Sequence, residues 1–73
     1  METTTYIKSA YEVEVGDIVC EADGFMWTVM DRVFRAGYYT FTLLPRFASM
    51  TTREARTVRL KRGRNVRVAQ GVN

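Results

Sequence analysis

Val13-Glu14-Val15-Gly16-Asp17-Ile18-Val19-Cys20, followed by Ala22-Asp23-Gly24, is the stretch that decides the fold. Apolar and polar residues alternate on both sides of Gly16-Asp17. That period of two sends successive side chains to opposite faces of a strand, where a helix would gather them in a stripe. Gly16-Asp17 reads as a turn leading into a strand. Asp23-Gly24 between apolar runs marks a hairpin. In the run from Phe25 to Arg35, the odd positions Phe25, Trp27, Val29 and Val33 predict a core face interrupted by Asp31. The even positions Met26, Met30 and Phe34 form a second apolar stripe. A strand apolar on both faces is central or strongly bent, as in a small barrel.

The same period continues toward the C-terminus. Ala36-Gly37 is a tight turn, after which Tyr39, Phe41 and Leu43 alternate with Tyr38, Thr40 and Thr42. Pro45 ends that strand, because proline cannot continue a central ladder. The segment from Arg46 to Arg53 is the least regular. Thr51-Thr52-Arg53-Glu54 has the form of a capping box, allowing at most one short helical turn near residues 51–56. Thr57 to Lys61 is strand-like with Val58 and Leu60 inward. Arg62-Gly63 is a turn in which Gly63 is free to take positive φ. Val66 and Val68 form the core face of a last short strand, and Gln70 to Asn73 is a frayed tail. The expectation is one all-β domain over residues 1–73, a small five-stranded barrel or roll with its core at about 10–69 and short tails at both ends.

Ala10-Tyr11-Glu12-Val13-Glu14-Val15-Gly16-Asp17-Ile18-Val19 resembles the "a-x-x-L-x-V-G-D-x-V" opening of SH3-like barrels, including KOW-type and Tudor-like domains. Val13 stands where leucine is usual. Asp23-Gly24 followed by Trp27-Thr28-Val29 is similar to their second strand, and Val58-Arg59-Leu60 through Gly63 to Val66 and Val68 resembles their closing hairpin. The resemblance implies a five-stranded SH3-like fold and no particular activity. Small proteins of this pattern occur in bacteriophages and actinobacteria, so it also implies a phage-type accessory protein.

Composition narrows the function. A chain of 73 residues is one small domain with a thin core, burying ~60–65% of its unfolded surface. Cys20 is the only cysteine and histidine is absent, so neither a disulfide framework nor a zinc site of the usual ligands is expected. A reducing, cytoplasmic setting fits, which would be the host cytoplasm for a phage protein. The opening Met-Glu-Thr-Thr-Thr has no basic or apolar region of a signal peptide and reads, with Met1, as the start of an entire small gene product. No apolar run is long enough to span a membrane. Charge is the outstanding asymmetry: residues 1–31 hold seven acids and one base, whereas residues 32–73 hold ten bases and one acid. Such segregation suggests an electrostatic binding face for nucleic acid or another anionic surface.

An enzyme is not expected. Without histidine the commonest general base is missing. Cys20 lies in an apolar alternation with no adjacent base and reads as an inert thiol. Glu12, Glu14 and Asp17 form an acidic edge without the oxygen cage of a cation site, so no metal or cofactor is expected. The binding case rests on the last hairpin. Arg59 and Lys61 fall on the face opposite Val58 and Leu60, Arg67 is expected on that same outward face of a paired strand, and Arg62 and Arg64 flank Gly63 at the tip. Arg53, Arg56 and Tyr38 are secondary candidates, and Tyr6 and Tyr11 offer further stacking surfaces for single strands. Arginine forks onto phosphate and stacks on bases.

The leading reading is a non-enzymatic module contacting nucleic-acid backbone, DNA or RNA. The alternatives are an effector that docks on an acidic protein surface with the same arginines plus an apolar interface of Met26, Met30 and Phe34, or a structural, virion-type oligomerisation protein. Oligomeric state stays open. Trp27 is expected in the core. Glu12 and Glu14 are also placed to neutralise Arg59 or Arg67 if the first and last strands are neighbours.

Overall fold

Two positive-φ turns set the frame. Gly16 takes φ +101° in the turn where Asp17 Oδ2 accepts the Glu14 N–H at 2.9 Å. Ala36 and Gly37 take φ +52° and +83°, the signs of both central residues in a two-residue I′ hairpin turn. The structure is a computed structural model that describes residues 4–46 and 55–69. Within these lie β1 (Thr5–Ser9), a 3-10 turn (Ala10–Glu12), β2 (Ile18–Cys20), β3 (Met26–Arg35), β4 (Tyr38–Pro45), β5 (Arg56–Lys61) and β6 (Asn65–Ala69).

All strand pairs are antiparallel and form one unclosed sheet in the order β1-β6-β2-β3-β4-β5. The sequence leads to five strands and the structure has six among the described residues; the additional one is β1, which pairs along the whole of β6. The helical turn expected near 51–56 lies outside the described residues except for Ala55 and Arg56, and Arg56 begins β5. The frayed tail also lies outside them. No helix among the described residues is long and apolar enough to cross a membrane.

The core sits on the inner face. Ala10, Val13, Val29, Phe41, Leu43, Val66 and Val68 are buried, and Val19, Trp27, Tyr39, Val58 and Leu60 pack against them. Along β4 the alternation holds as expected: Phe41 and Leu43 are buried while Thr40 and Thr42 lie on the other face. Along β3 it does not. Val29 opposes Leu43 but Asp31 opposes Thr42, so Met30 is an extra residue in a β-bulge. The bulge exchanges the faces. Trp27 and Val29 point inward before it, whereas after it Arg32 opposes buried Phe41 and Phe34 opposes Tyr39. Val33, expected in the core, therefore faces out at 50% exposure, and Phe25 at the strand's start is 45% exposed. Arg32, turned inward, donates to the Val13 carbonyl at 3.0 Å and lies 5.0 Å from the Tyr39 ring centroid.

Gly63 does not take positive φ. Its turn closes through the Arg64 N–H on the Lys61 carbonyl at 3.0 Å. The strands on either side do not pair with each other: β5 pairs with β4, and β6 with β1 and β2. The 3-10 turn explains the divergence, because the N–H groups of Ala10 and Tyr11 bond the carbonyls of Arg64 and Arg62 and draw the start of β6 toward β1.

Candidate nucleic-acid interface

Register builds a cationic face on the outside of β3, β4 and β5. The two-residue turn at Ala36-Gly37 pairs Arg35 directly with Tyr38, and Tyr38 in turn opposes Lys61. Arg35, Tyr38 and Lys61 thus form one transverse row across three strands. The next rows are Val33, Thr40 and Arg59, then Asp31, Thr42 and Thr57. Strands are ~4.8 Å apart and rows ~7 Å apart, so Arg35 and Lys61 flank the tyrosine at roughly 5 Å of backbone spacing on each side. The Arg59 guanidinium stacks over the Tyr38 ring with its carbon 4.2 Å from the centroid. Tyr38 faces outward, as the alternation of β4 requires, and is half-buried by these neighbours.

Beyond Lys61 the chain turns through Arg62 and Arg64, both exposed. Arg62 lies 5.4 Å from the Tyr11 ring centroid, and its backbone N–H bonds the Gly37 carbonyl, which fastens this turn to the β3–β4 turn. The cationic surface therefore continues from the outer face around the end of the sheet.

Among the described residues, the acidic half contributes one side chain to this face, Asp31 in the third row. Among the described residues the ion pairs are Lys8–Asp17 at 2.8 Å and Arg56–Glu21 at 2.9 Å. Glu12 accepts the Ser9 N–H at 3.1 Å instead of meeting Arg59 or Arg67. Of the expected binding residues, Tyr38, Arg59 and Lys61 share the outer face, and Arg62 and Arg64 follow in the adjoining turn. Arg56 is drawn away by Glu21 and lies 5.2 Å from the Trp27 ring centroid. Arg67 is a correction: it sits on β6 opposite Ile7 and donates to Thr5 Oγ1 at 3.1 Å, because β6 is not the partner of β5. Arg53 lies outside the described residues.

The apolar trio is split by the bulge. Met26 is half-buried and its sulfur is 3.9 Å from Arg46 Nη1. Met30 protrudes from the bulge at 49% exposure, and Phe34 lies on the inner face against Tyr39, ring centroids 4.6 Å apart. They share no single face. Trp27 is half-buried beside Phe25, and its buried Nε1 has no hydrogen-bond partner among the described residues. Tyr6 and Tyr11 are exposed, but Tyr6 belongs to β1, remote from this face in strand order.

Arg35 is the contributor that sequence reasoning missed. Its signal was present, since a two-residue turn between Arg35 and Tyr38 makes them cross-strand neighbours. Comparison with protein-family models finds no match to the chain, and searches of curated proteins and of solved structures find none.

Proposed function

We propose that this chain is a non-enzymatic nucleic-acid-binding module on an SH3-like barrel scaffold. It takes a phosphate backbone across the outer face of β3, β4 and β5 and the adjoining turn. One observation carries the reading: Arg35, Arg59 and Lys61 surround Tyr38 on one face, and none of them is in an ion pair among the described residues. Row spacing of ~7 Å suits successive phosphates of an extended strand, and the tyrosine between cations offers a base a stacking surface. Each phosphate engaged releases counterions, so affinity falls steeply with salt. The SH3-like part of the reading is supported by β6 lying beside β2, the strand that follows Val15-Gly16-Asp17. The threonine-rich rows, with no recognition helix among the described residues, suit backbone contact over base reading.

The test is fluorescence anisotropy of labelled single- and double-stranded DNA and RNA at low and moderate salt, with wild type and the double variant Arg62→Glu, Arg64→Glu. Wild-type binding that weakens with salt is expected. The double variant should lose it by at least about tenfold with its melting temperature nearly unchanged, because neither side chain is in an ion pair among the described residues. A wild type that binds none of the four probes at low salt would reject the reading.

A further inference from the structure

The sheet leaves a seam where β5 and β6 diverge, and the seam is a groove. Its volume is about 430 Å³, within the size of ligand clefts, and Val19, Val58, Leu60, Phe41, Leu43 and Val66 give it an apolar floor. Among the described residues, the wall made by β5 is an unpaired strand edge. Hydrogen-bonded and non-hydrogen-bonded pairs alternate along an antiparallel ladder. The Arg62 N–H bonds the Gly37 carbonyl at 3.2 Å, in register with Tyr38 opposite Lys61. Leu60 and Val58 therefore bond toward β4, while Thr57 and Arg59 turn their N–H and C=O groups away from it, into the seam. No backbone bond occupies them among the described residues. On the other wall, the Ala10 N–H bonds the Arg64 carbonyl, in register with Ser9 opposite Asn65. By the same alternation, Asn65 directs its backbone away from β1, and β2 reaches only Val68 and Ala69.

The rim is cationic. Arg64 and Arg67 line it, and Arg59 and Lys61 stand on the outer face of the same edge. Glu21, the acid at the groove, is taken by Arg56.

We infer that this seam binds an extended peptide as an added β-strand, with alternate apolar side chains over Val58 and Leu60 and alternate acidic side chains beside Arg59, Lys61 and Arg64. Pleat and register dictate that pattern. A strand hydrogen-bonded to Thr57 and Arg59 must send every second side chain into the groove and the others outward, where the cations stand. The apolar face meets an apolar floor, and the charge sequence is the one the rim attracts. The occupant is a segment of another protein; its acidic side chains use Arg59, Lys61 and Arg64, which the nucleic-acid face also uses, while its backbone bonds go to the β5 edge.

The experiment titrates isotopically labelled protein with a synthetic peptide alternating valine and glutamate. Amide shifts and hydrogen exchange are followed by NMR, and the rate of maleimide labelling of Cys20, which lines the groove and is the chain's only cysteine, is measured alongside. Expected are shifts at Val58, Leu60, Asn65 and Val66, exchange at Thr57 and Arg59 slowed at least about tenfold at saturation, and slower Cys20 labelling. Thr57→Pro removes an edge N–H that β4 does not use, so it should abolish these effects. Should that variant fail to fold, the same peptide N-methylated at alternate residues takes its place, since it keeps side chains and charge but cannot pair, and its binding should be lost. Equal binding of the methylated peptide, equal binding of a valine–lysine peptide, shifts confined to Arg35 and Tyr38, or no shifts would each overturn the inference.

Discussion

At the scale of single residues, two positions show how local chemistry is spent. Ala36 holds φ +52°, a conformation in which an L-residue other than Asn, Asp or Gly is strained, and it does so because the turn that pairs Arg35 with Tyr38 needs it. Ala36→Asn should therefore stabilise the protein by about 0.5–1 kcal/mol, raising the melting temperature by a few degrees with nucleic-acid affinity retained. A lower melting temperature would contradict the account of this turn. Lys8 is the second case. Its pKa is raised above the ordinary 10.5, chiefly by the hydrogen bond its ammonium donates to Asp17. A raised folded value means the stabilisation is whole below the ordinary pKa and is lost as pH climbs through the raised one. Melting curves of wild type and Lys8→Met should thus differ at neutral pH and converge in strong alkali. A gap that widens with pH would show the pair has another role. The turn residues themselves were legible, since Gly16-Asp17, Asp23-Gly24 and Ala36-Gly37 all mark chain reversals. The partner of Asp17 was not, because Lys8 belongs to a strand the pattern does not announce.

The strands divide into those that carry their own signal and those that borrow it. β4 was legible, with alternating aromatic and threonine residues and a closing proline, and its faces are as the pattern dictates. β1 was not. Tyr6 and Ile7 are both exposed, so Thr5–Ser9 shows no buried face and exists through its pairing with β6. The face exchange in β3 was hidden for a physical reason. With Met26, Trp27, Val29, Met30, Val33 and Phe34 all apolar the two faces look alike, and Asp31 reads as an interruption of the core face instead of the sign of one extra residue at Met30. The divergence of β5 from β6 was hidden because Arg62-Gly63 looks like the turn of a paired hairpin. What pulls them apart is the 3-10 turn docking on Arg62 and Arg64. The β3–β4 pair supplies a contrast for testing the face assignment. Leu43→Ala, at a side chain 2% exposed, should cost about 2–5 kcal/mol, a large part of a small domain's stability. Phe34→Ala, at 52% exposure, should cost clearly less, near about 1 kcal/mol. Denaturant melts decide it, and a reversed order would place the bulge elsewhere.

Over the whole molecule, the segregation of charge along the chain becomes segregation in space. Asp17 and Glu21 meet Lys8 and Arg56, and the outer face of β3, β4 and β5 carries Arg35, Arg59 and Lys61 with Asp31 as its one acid among the described residues. Composition made a cationic face legible, and the alternation placed Arg59, Lys61 and Tyr38 together. Arg35 was legible from the local turn that pairs it with Tyr38, whereas the displacement of Arg67 required the sheet order, which follows from pairings distant in sequence. The measurement that bears most directly on this face is the slope of log affinity against log salt for a single-stranded oligonucleotide, in wild type and in Arg35→Gln and Lys61→Gln. The expected result is a steep negative slope in wild type that becomes shallower by about 0.7, one phosphate, in each variant. A slope that both substitutions leave unchanged would contradict the assignment of phosphate contact to this face.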